Sequence, residues 1–256
     1  MIQPNNEDPS SLARHRGDYG VDAPYVPLGL GLVGAFWAIV GAVLLRRRGR
    51  WPGIAGIASG AVFLTSAGWY LFATRRGKFA IWAEILQQLG LRGDERVLDL
   101  GCGRGAVLLM AARLLPRGKA VGVDLWNATD QSGNARAATE RNAQREGVAD
   151  RVEIETADMR DLPFPDETFD VVLSNLALHN LPTAADRARA IDEAVRVLRP
   201  GGLLRIVDFH ATEDYARHLG GWKMADVSHR PLGWRSWYGG PWASMKLVTA
   251  RKPERA

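Results

Sequence analysis

Val97-Leu-Asp-Leu-Gly-Cys-Gly-Arg-Gly-Ala106 decides the fold of this 256-residue chain. Val97, Leu98 and Leu100 form a short apolar run of the kind that fills a buried parallel strand. Gly101, Gly103 and Gly105 follow at once, and glycine lets a backbone turn sharply where a bulky ligand must come close. Ala106 to Leu115 then reads as a helix. Strand, glycine turn and helix together are how an α/β domain builds a nucleotide pocket. The glycines alone leave the nucleotide open, because Gly101, Gly103 and Ala106 also satisfy the G-x-G-x-x-G/A pattern of a dinucleotide turn. Asp99 shifts the balance, since a carboxylate two residues before the first glycine repels a pyrophosphate.

Outward from this segment the chain stays in register. Lys119–Asp124 reads as a second strand ending in an acid, about 20 residues past the turn, where ribose hydroxyls are held in either kind of nucleotide domain. Leu125 follows at the same strand end. Arg151–Thr156 reads as a third strand and is followed by Ala157, Asp158 and Met159. Leu162-Pro-Phe-Pro165 is a turn, Phe169–Ser174 a fourth strand, and Asn175-Leu-Ala-Leu-His179 lies at its end. Ala184–Leu198 carries Ile191, Ala194, Val195 and Leu198 on one helical stripe, and Arg199-Pro-Gly-Gly202 stops it. Leu203–Phe209 is a fifth strand, with a sixth expected around Met224–His229 and a seventh at Ser244–Thr249.

This order of motifs resembles the class I S-adenosylmethionine-dependent methyltransferases, in particular their ubiquinone/menaquinone-type small-molecule branch, over roughly residues 78–253. The resemblance implies a Rossmann-like seven-stranded α/β sheet with helices on both faces, and S-adenosylmethionine as cofactor. It assigns Asp99, Gly101, Gly103 and Gly105 to the methionine end, Asp124 and Leu125 to the ribose side, Asp158 and Met159 to the adenine, and Asn175 to the cleft. The segment from Leu125 to Gly133 is about half a dozen residues longer than the turn expected there, and it presents Trp126 either to the adenine or to the surface beneath a loop.

The N-terminal third is a different polymer. Residues 1–22, rich in Pro, Asn, Asp and Ser, read as a mobile tail. Neither Ala23–Leu45 nor Trp51–Thr74 contains a charged side chain, and each is long enough to cross a hydrocarbon core of about 30 Å. Two spans are therefore expected, about 25–45 and 52–74, forming a transmembrane hairpin over residues 23–77 ahead of a methyltransferase domain over 78–256. Gly34 with Ala38, and Gly56 with Ser59 or Gly60, recur at helical spacing and permit close helix packing within the hairpin or self-association. Arg46, Arg47, Arg48 and Arg50 fill the connector, while Arg14, Arg16, Arg75, Arg76 and Lys78 lie on the other side, so basic residues do not decide the orientation. The cytosolic cofactor does, which puts the catalytic domain and both termini in the cytosol. A single span with a re-entrant second run is the alternative.

The formal charge of +5 sits largely beside the apolar runs, where basic residues meet anionic headgroups, and no nucleic-acid module is visible. Cys102 is the sole cysteine, which excludes a disulfide framework and a structural zinc cluster. Ile81, Trp82, Ile85, Leu86 and Leu89 form a stripe expected to pack on the domain's edge. Pro231–Trp242, with four aromatic rings among Gly and Pro, is either a packed loop or a lid.

Methyl transfer needs in-line positioning and, for a hydroxyl acceptor, a general base. His179 after strand four is the first candidate base and His210 after strand five the second, with Asp208 behind them. The acceptor is expected to be a small apolar or lipid-like molecule at the membrane. A nicotinamide-dependent Rossmann oxidoreductase and a catalytically silent cofactor-binding scaffold are the alternatives. The motifs all follow Lys78, so residues 78–256 are expected to bind cofactor unaided.

Overall fold

The computed structural model describes residues 8–47 and 49–255, so the connector residue Arg48 and the first seven residues lie outside the described part. The apolar runs of the domain become β1 (Arg96–Leu100), β2 (Lys119–Asp124), β3 (Val152–Thr156), β4 (Phe169–Asn175) and β5 (Leu198–Asp208). Strands β6 (Ala225–Pro231) and β7 (Lys246–Arg251) complete one seven-stranded sheet in the order β3-β2-β1-β4-β5-β7-β6. Strands β1 to β5 pair in parallel, and β7 runs antiparallel to both neighbours.

Alternate residues of each strand feed two cores. Val97, Val171 and Leu173 face a layer made by α4 (Lys78–Gln88), α5 (Ala106–Arg113) and α6 (Arg136–Glu146). Leu98, Val172 and Leu204 face α7 (Ala184–Val197) and α8 (Thr212–Gly221), where Ile191, Ala194 and Leu219 are buried. The amphipathic stripe of α4 packs on the domain as expected, with Trp82 fully buried. The order of strands reverses between β1 and β4, and the crevice beyond their carboxyl ends is where ligands bind in open α/β sheets.

Before the domain stand α1 (Pro9–Leu12), α2 (Tyr25–Arg47) and α3 (Arg50–Phe72). Helices α2 and α3 form an antiparallel hairpin with glycines at the contact: Cβ atoms added at Gly41, Gly56 or Gly60 would meet the backbone of the opposite helix. The small-residue stripe is thereby internal to the hairpin. Leu32, Phe36, Ile39 and Val62 point outward, each about 60% exposed. Both helices are long and apolar enough to cross a membrane. Helix α3 continues into α4 through a π-helical turn, Ala73–Gly77.

Residues 8–22 correct the expectation of a mobile tail. They run as a strap over α5 and α6, with Leu12 fully buried and Tyr19 packed against Phe79. Glu146 accepts from the Arg16 and Gly17 amides at 2.8 and 2.7 Å, Asn142 Oδ1 from the Asp18 amide at 2.9 Å, and Ser132 Oγ from the Val21 amide at 2.8 Å. A segment poor in apolar residues is held by polar side chains that meet its backbone.

The loop at 231–242 resolves as a clamp on the hairpin's base. Trp234 stacks on Phe72 at 5.7 Å, Trp237 meets Trp69 at 5.8 Å, and Arg235 pairs with Glu84 at 2.8 Å.

Candidate active site

The glycine turn shapes the cofactor end of the crevice. Gly101 has φ of 70°, and a Cβ there would collide with Ala177 from the end of β4. Gly103 has φ of 51°, and its amide donates to Asp124 Oδ2 at 2.8 Å. Both line the cleft, together with Asp99, Asp124, Leu125, Asp158, Met159, Asn175 and His179. Gly105 and His210 are not brought there. Gly105 opens α5 and faces Thr139 and Leu109, while His210, two residues beyond β5, is exposed. Trp126 also stays outside the lining; its indole donates to Thr156 Oγ1 at 2.8 Å, and Leu125 takes the place at the strand end.

The cleft is strongly acidic. Asp22, Asp99, Asp124, Asp130 and Asp158 line it, against Lys78 as the single lysine or arginine among the described residues. Asp99 is buried, and its Oδ1 has no hydrogen-bond partner. Burial, reinforced by the charge of Asp124, lifts its pKa to about 8. An unpartnered buried carboxylate opening on a cleft is what an ammonium group would satisfy, and a pyrophosphate would not. Asp124 also accepts from the Trp126 amide at 2.6 Å and from Asn134 Nδ2 at 3.2 Å, so it is held rigid at the place where ribose hydroxyls would donate. Asp158 is paired with Arg160 at 2.7 Å, which together with nearby Arg189 keeps it ionised as an acceptor for an exocyclic amine.

His179 is the candidate base that the fold assembles. Its Nδ1 lies 2.6 Å from Oδ1 of Asp208, whose Oδ2 accepts the His179 amide at 3.0 Å. Asp208 is fully buried at the end of β5 and also accepts from the Phe209 amide. An ionised carboxylate only accepts, so Nδ1 carries the hydrogen and Nε2 keeps the lone pair for the cleft. Burial pulls the imidazole pKa down, but the hydrogen bond and charge of Asp208, with Asp130 and Asp22 behind them, outweigh it and hold His179 above its ordinary value.

The remaining wall comes from residues the motifs did not point to. Asp22, Ala23, Tyr25, Tyr70, Lys78, Phe209 and Tyr238 all line the cleft. Asp22 is their hub: its carboxylate accepts from Lys78 Nζ at 2.9 Å, Thr74 Oγ1 at 2.7 Å, Tyr238 OH at 2.9 Å and Gln131 Nε2 at 3.1 Å. Burial pushes Asp22 up, and Lys78, Thr74 and Tyr238 more than offset it, so it stays ionised. Gln131 passes the contact on, its Oε1 accepting the Arg104 amide of the glycine turn at 2.9 Å. Tyr70, Thr74 and Lys78 recur every four residues from α3 through the π-helical turn to α4, a helical spacing that the sequence displays but does not aim. Trp82 was likewise missed as a site residue; its indole donates to Asn175 Oδ1 at 2.7 Å and fixes that side chain.

Residues 98–206 match the family model for a methyltransferase domain. Those residues of the chain carry a methyltransferase domain. Among relatives of this domain, the demethylmenaquinone methyltransferase of Symbiobacterium thermophilum is 32% identical over 145 residues, 56% of this chain and 53% of that protein. The 27-O-demethylrifamycin SV methyltransferase of Amycolatopsis mediterranei is 39% identical over 123 residues, 47% and 41%. The chloroplastic 2-phytyl-1,4-beta-naphthoquinone methyltransferase of Arabidopsis thaliana is 32% identical over 154 residues, 59% and 56%. The chain thus spans about half the length of the curated relatives it matches. Of the solved structures, geranyl diphosphate methyltransferase in complex with SAM superposes with a TM-score of 0.56 at 17% identity, over 74% of this chain and 90% of that one. The cyclase SpnF does so with 0.55 at 21%, over 70% and 83%, which shows that the methyltransferase fold alone does not dictate the reaction. Asp99, the glycine turn, Asp124 and Asp158 have the chemistry that S-adenosylmethionine, the cofactor implied by the sequence motifs, would need.

Proposed function

We propose that the chain is a membrane-anchored methyltransferase that transfers a methyl group from S-adenosylmethionine to a small apolar or lipid-like acceptor at the bilayer surface. The observation that carries this reading is that Tyr25 and Tyr70, at the domain-side ends of the two apolar helices, are walls of the same cleft as Asp99 and His179. An acceptor dissolved in the membrane would reach the cleft along the helices that anchor it. The demethylmenaquinone and phytyl-naphthoquinone methyltransferases among the relatives support an acceptor of this class.

Bound S-adenosylmethionine supplies an electrophilic methyl group. The chain's part is positioning and proton removal: Asp99, Asp124 and Asp158 hold the cofactor's ends, Asn175 is braced by Trp82, and Nε2 of His179 takes a proton from an acceptor hydroxyl while Asp208 stabilises the imidazolium.

Two spans with both termini cytosolic is the favoured topology. The strap and the domain pack on each other at one end of the hairpin, and Arg46, Arg47 and Arg50 lie at the other. A cysteine placed at Gly49 should react with an impermeant reagent from outside, while reporters at Ser10 and the C-terminus stay cytosolic. A protected Gly49 site with an externally labelled N-terminus would replace the hairpin by a single span.

The test of function is tritiated-methyl transfer by the full-length protein in proteoliposomes onto total lipid and metabolite extract, with mass spectrometry of the product. Label in an apolar product supports the reading. Cofactor binding without label in any fraction points to a silent scaffold.

A further inference from the structure

A second concavity lies outside the cofactor cleft, where α3 meets the loop between β6 and β7. Val62, Ser66 and Trp69 line one wall, and Trp237, Gly240 and Trp242 the other. No charged residue lines it among the described residues, and its side-chain polar groups are the hydroxyls of Thr65 and Ser66 and the indole N–H groups of its tryptophans. Val62 precedes Phe72, the domain-side end of α3, by ten residues. At the helical rise that is about 15 Å along the axis, so the groove reaches down the hairpin to acyl-chain depth in the orientation proposed above. Val62 is 60% and Trp242 75% exposed, so the groove opens on the face that would meet lipid.

Two elements join this groove to the cleft. Tyr70 lies one helical turn from Ser66 on α3 and lines the cleft, and Tyr238 lies between Trp237 and Gly239 and lines it from the loop side. The two rings meet edge to face, 5.0 Å apart at 81°. Both hydroxyls are tied to Asp22, Tyr70 to its carbonyl and Tyr238 to its carboxylate, each at 2.9 Å. Tyr70 and Tyr238 thus stand in the cleft wall beside residues of the groove wall. Rings turn aside for a ligand at the cost of two hydrogen bonds.

We infer that this groove holds the hydrocarbon tail of the methyl acceptor, threaded past Tyr70 and Tyr238 so that its reacting head lies beside His179. The inference rests on the membrane-anchored methyltransferase reading and narrows its substrate to molecules with a chain long enough to span both concavities. An apolar, uncharged groove with aromatic walls suits a prenyl or alkyl chain, and its lipid-facing mouth leaves a soluble protein partner no access.

Photolabelling of the full-length protein in nanodiscs tests it. The probe is a 1,4-naphthoquinol carrying a fifteen-carbon chain that ends in a diazirine, with a phospholipid bearing a diazirine acyl chain as reference. The expected result is probe label concentrated on residues 61–69 and 237–242, reduced at least fivefold by the same naphthoquinol without diazirine, while phospholipid label spreads over the outward faces of α2 and α3. Probe label spread like that of the phospholipid, and unmoved by competitor, overturns the groove. In a second arm, Val62→Trp fills the groove, and the ratio of kcat/KM for the long-chain over a methyl-bearing naphthoquinol should fall at least tenfold; an unchanged ratio overturns the inference. Methyl transfer into lipid extract is scored separately, so competed groove labelling without any transfer overturns the activity, and transfer with evenly spread label overturns the groove alone.

Discussion

The two ends of the cleft are built in opposite ways. The cofactor end is local: Asp99, Gly101 and Gly103 fall within five residues, and Asp124 joins them from the neighbouring strand through one hydrogen bond. The proposed acceptor end is assembled from a strap at residue 22, helices at 70–78 and a loop at 238, and Asp22 on the strap is bonded to both of the others. A site made of one short segment survives changes elsewhere in the fold, whereas a site made of three distant segments depends on the contact that gathers them.

The sharpest way to break this contrast is to cut the chain at residue 78. Its removal leaves Lys78, 2% exposed, with no carboxylate, and takes Asp22 from Gln131 and so from the glycine turn. Breaking a buried pair from one side costs about 3–5 kcal/mol. The isolated domain 78–256 and the full-length Asp22→Ala variant should both lose about that much in denaturant unfolding and weaken S-adenosylmethionine binding. Undiminished cofactor affinity in the fragment would restore the autonomous domain that the motifs alone suggest.

At the catalytic centre, His179→Gln should lower kcat about 100-fold or more, the usual scale of a lost general base, while the KM for cofactor holds. In the proposed role the base form of His179 acts, and its pKa is raised, so kcat should climb with pH through a value above 6.5. Asp208→Asn removes the hydrogen bond and charge that raise it, and the rising limb should move to lower pH. A limb that stays in place would mean that another group is the base.

Asp99→Asn isolates the cofactor end. Losing a charged hydrogen bond of about 3 kcal/mol predicts affinity about 100-fold weaker by calorimetry, with circular dichroism unchanged. The sign of its pH dependence is opposite to that of a salt-bridged carboxylate. Its folded pKa of about 8 lies above the ordinary 3.8, so the ligand-free native state binds more protons than the unfolded state between those values. Stability should therefore fall as pH rises across this window, and Asp99→Asn should raise the thermal midpoint at pH 8 relative to the parent. Binding of a cationic ligand should release a proton below pH 8, seen as buffer-dependent heat that the variant lacks.

Tyr238→Phe is the mildest probe. It removes one hydrogen bond to Asp22, which keeps Lys78 and Thr74, and should cost about 1 kcal/mol of stability. Acceptor KM should change more than cofactor affinity; the reverse would place Tyr238 in the cofactor end.

Much of the core was readable because its signals are short-range. Val97–Ala106 became strand, turn and helix, and the amphipathic stripes of α4 and α7 found the sheet as their spacing implied. His179 and His210 each come shortly after a strand, and in the sequence only the segment Asn175–His179 sets His179 ahead. What separates them is Asp208, whose buried carboxylate takes both the amide and the ring of His179 and leaves His210 exposed. Gly105 fell in the same run as Gly101 and Gly103, yet the chain has already turned into α5 by that point.

What the sequence determined by itself is the parallel part of the sheet with its acid-and-glycine strand ends, and two uncharged runs with small residues at helical spacing. Those features rest on interactions between near neighbours, where period and composition carry the information. Only the tertiary structure decided that residues 8–22 are a strap, that α3, the π-helical turn and α4 aim Tyr70 at the carbonyl of Asp22 and Thr74 and Lys78 at its carboxylate, and that Trp69 is clamped by Trp234 and Trp237. Those contacts are hydrogen bonds and ring packings between segments some 50 to 220 residues apart, and no local pattern encodes which polar group will meet which; the folded sheet brings them within reach, and desolvation then makes each pairing obligatory.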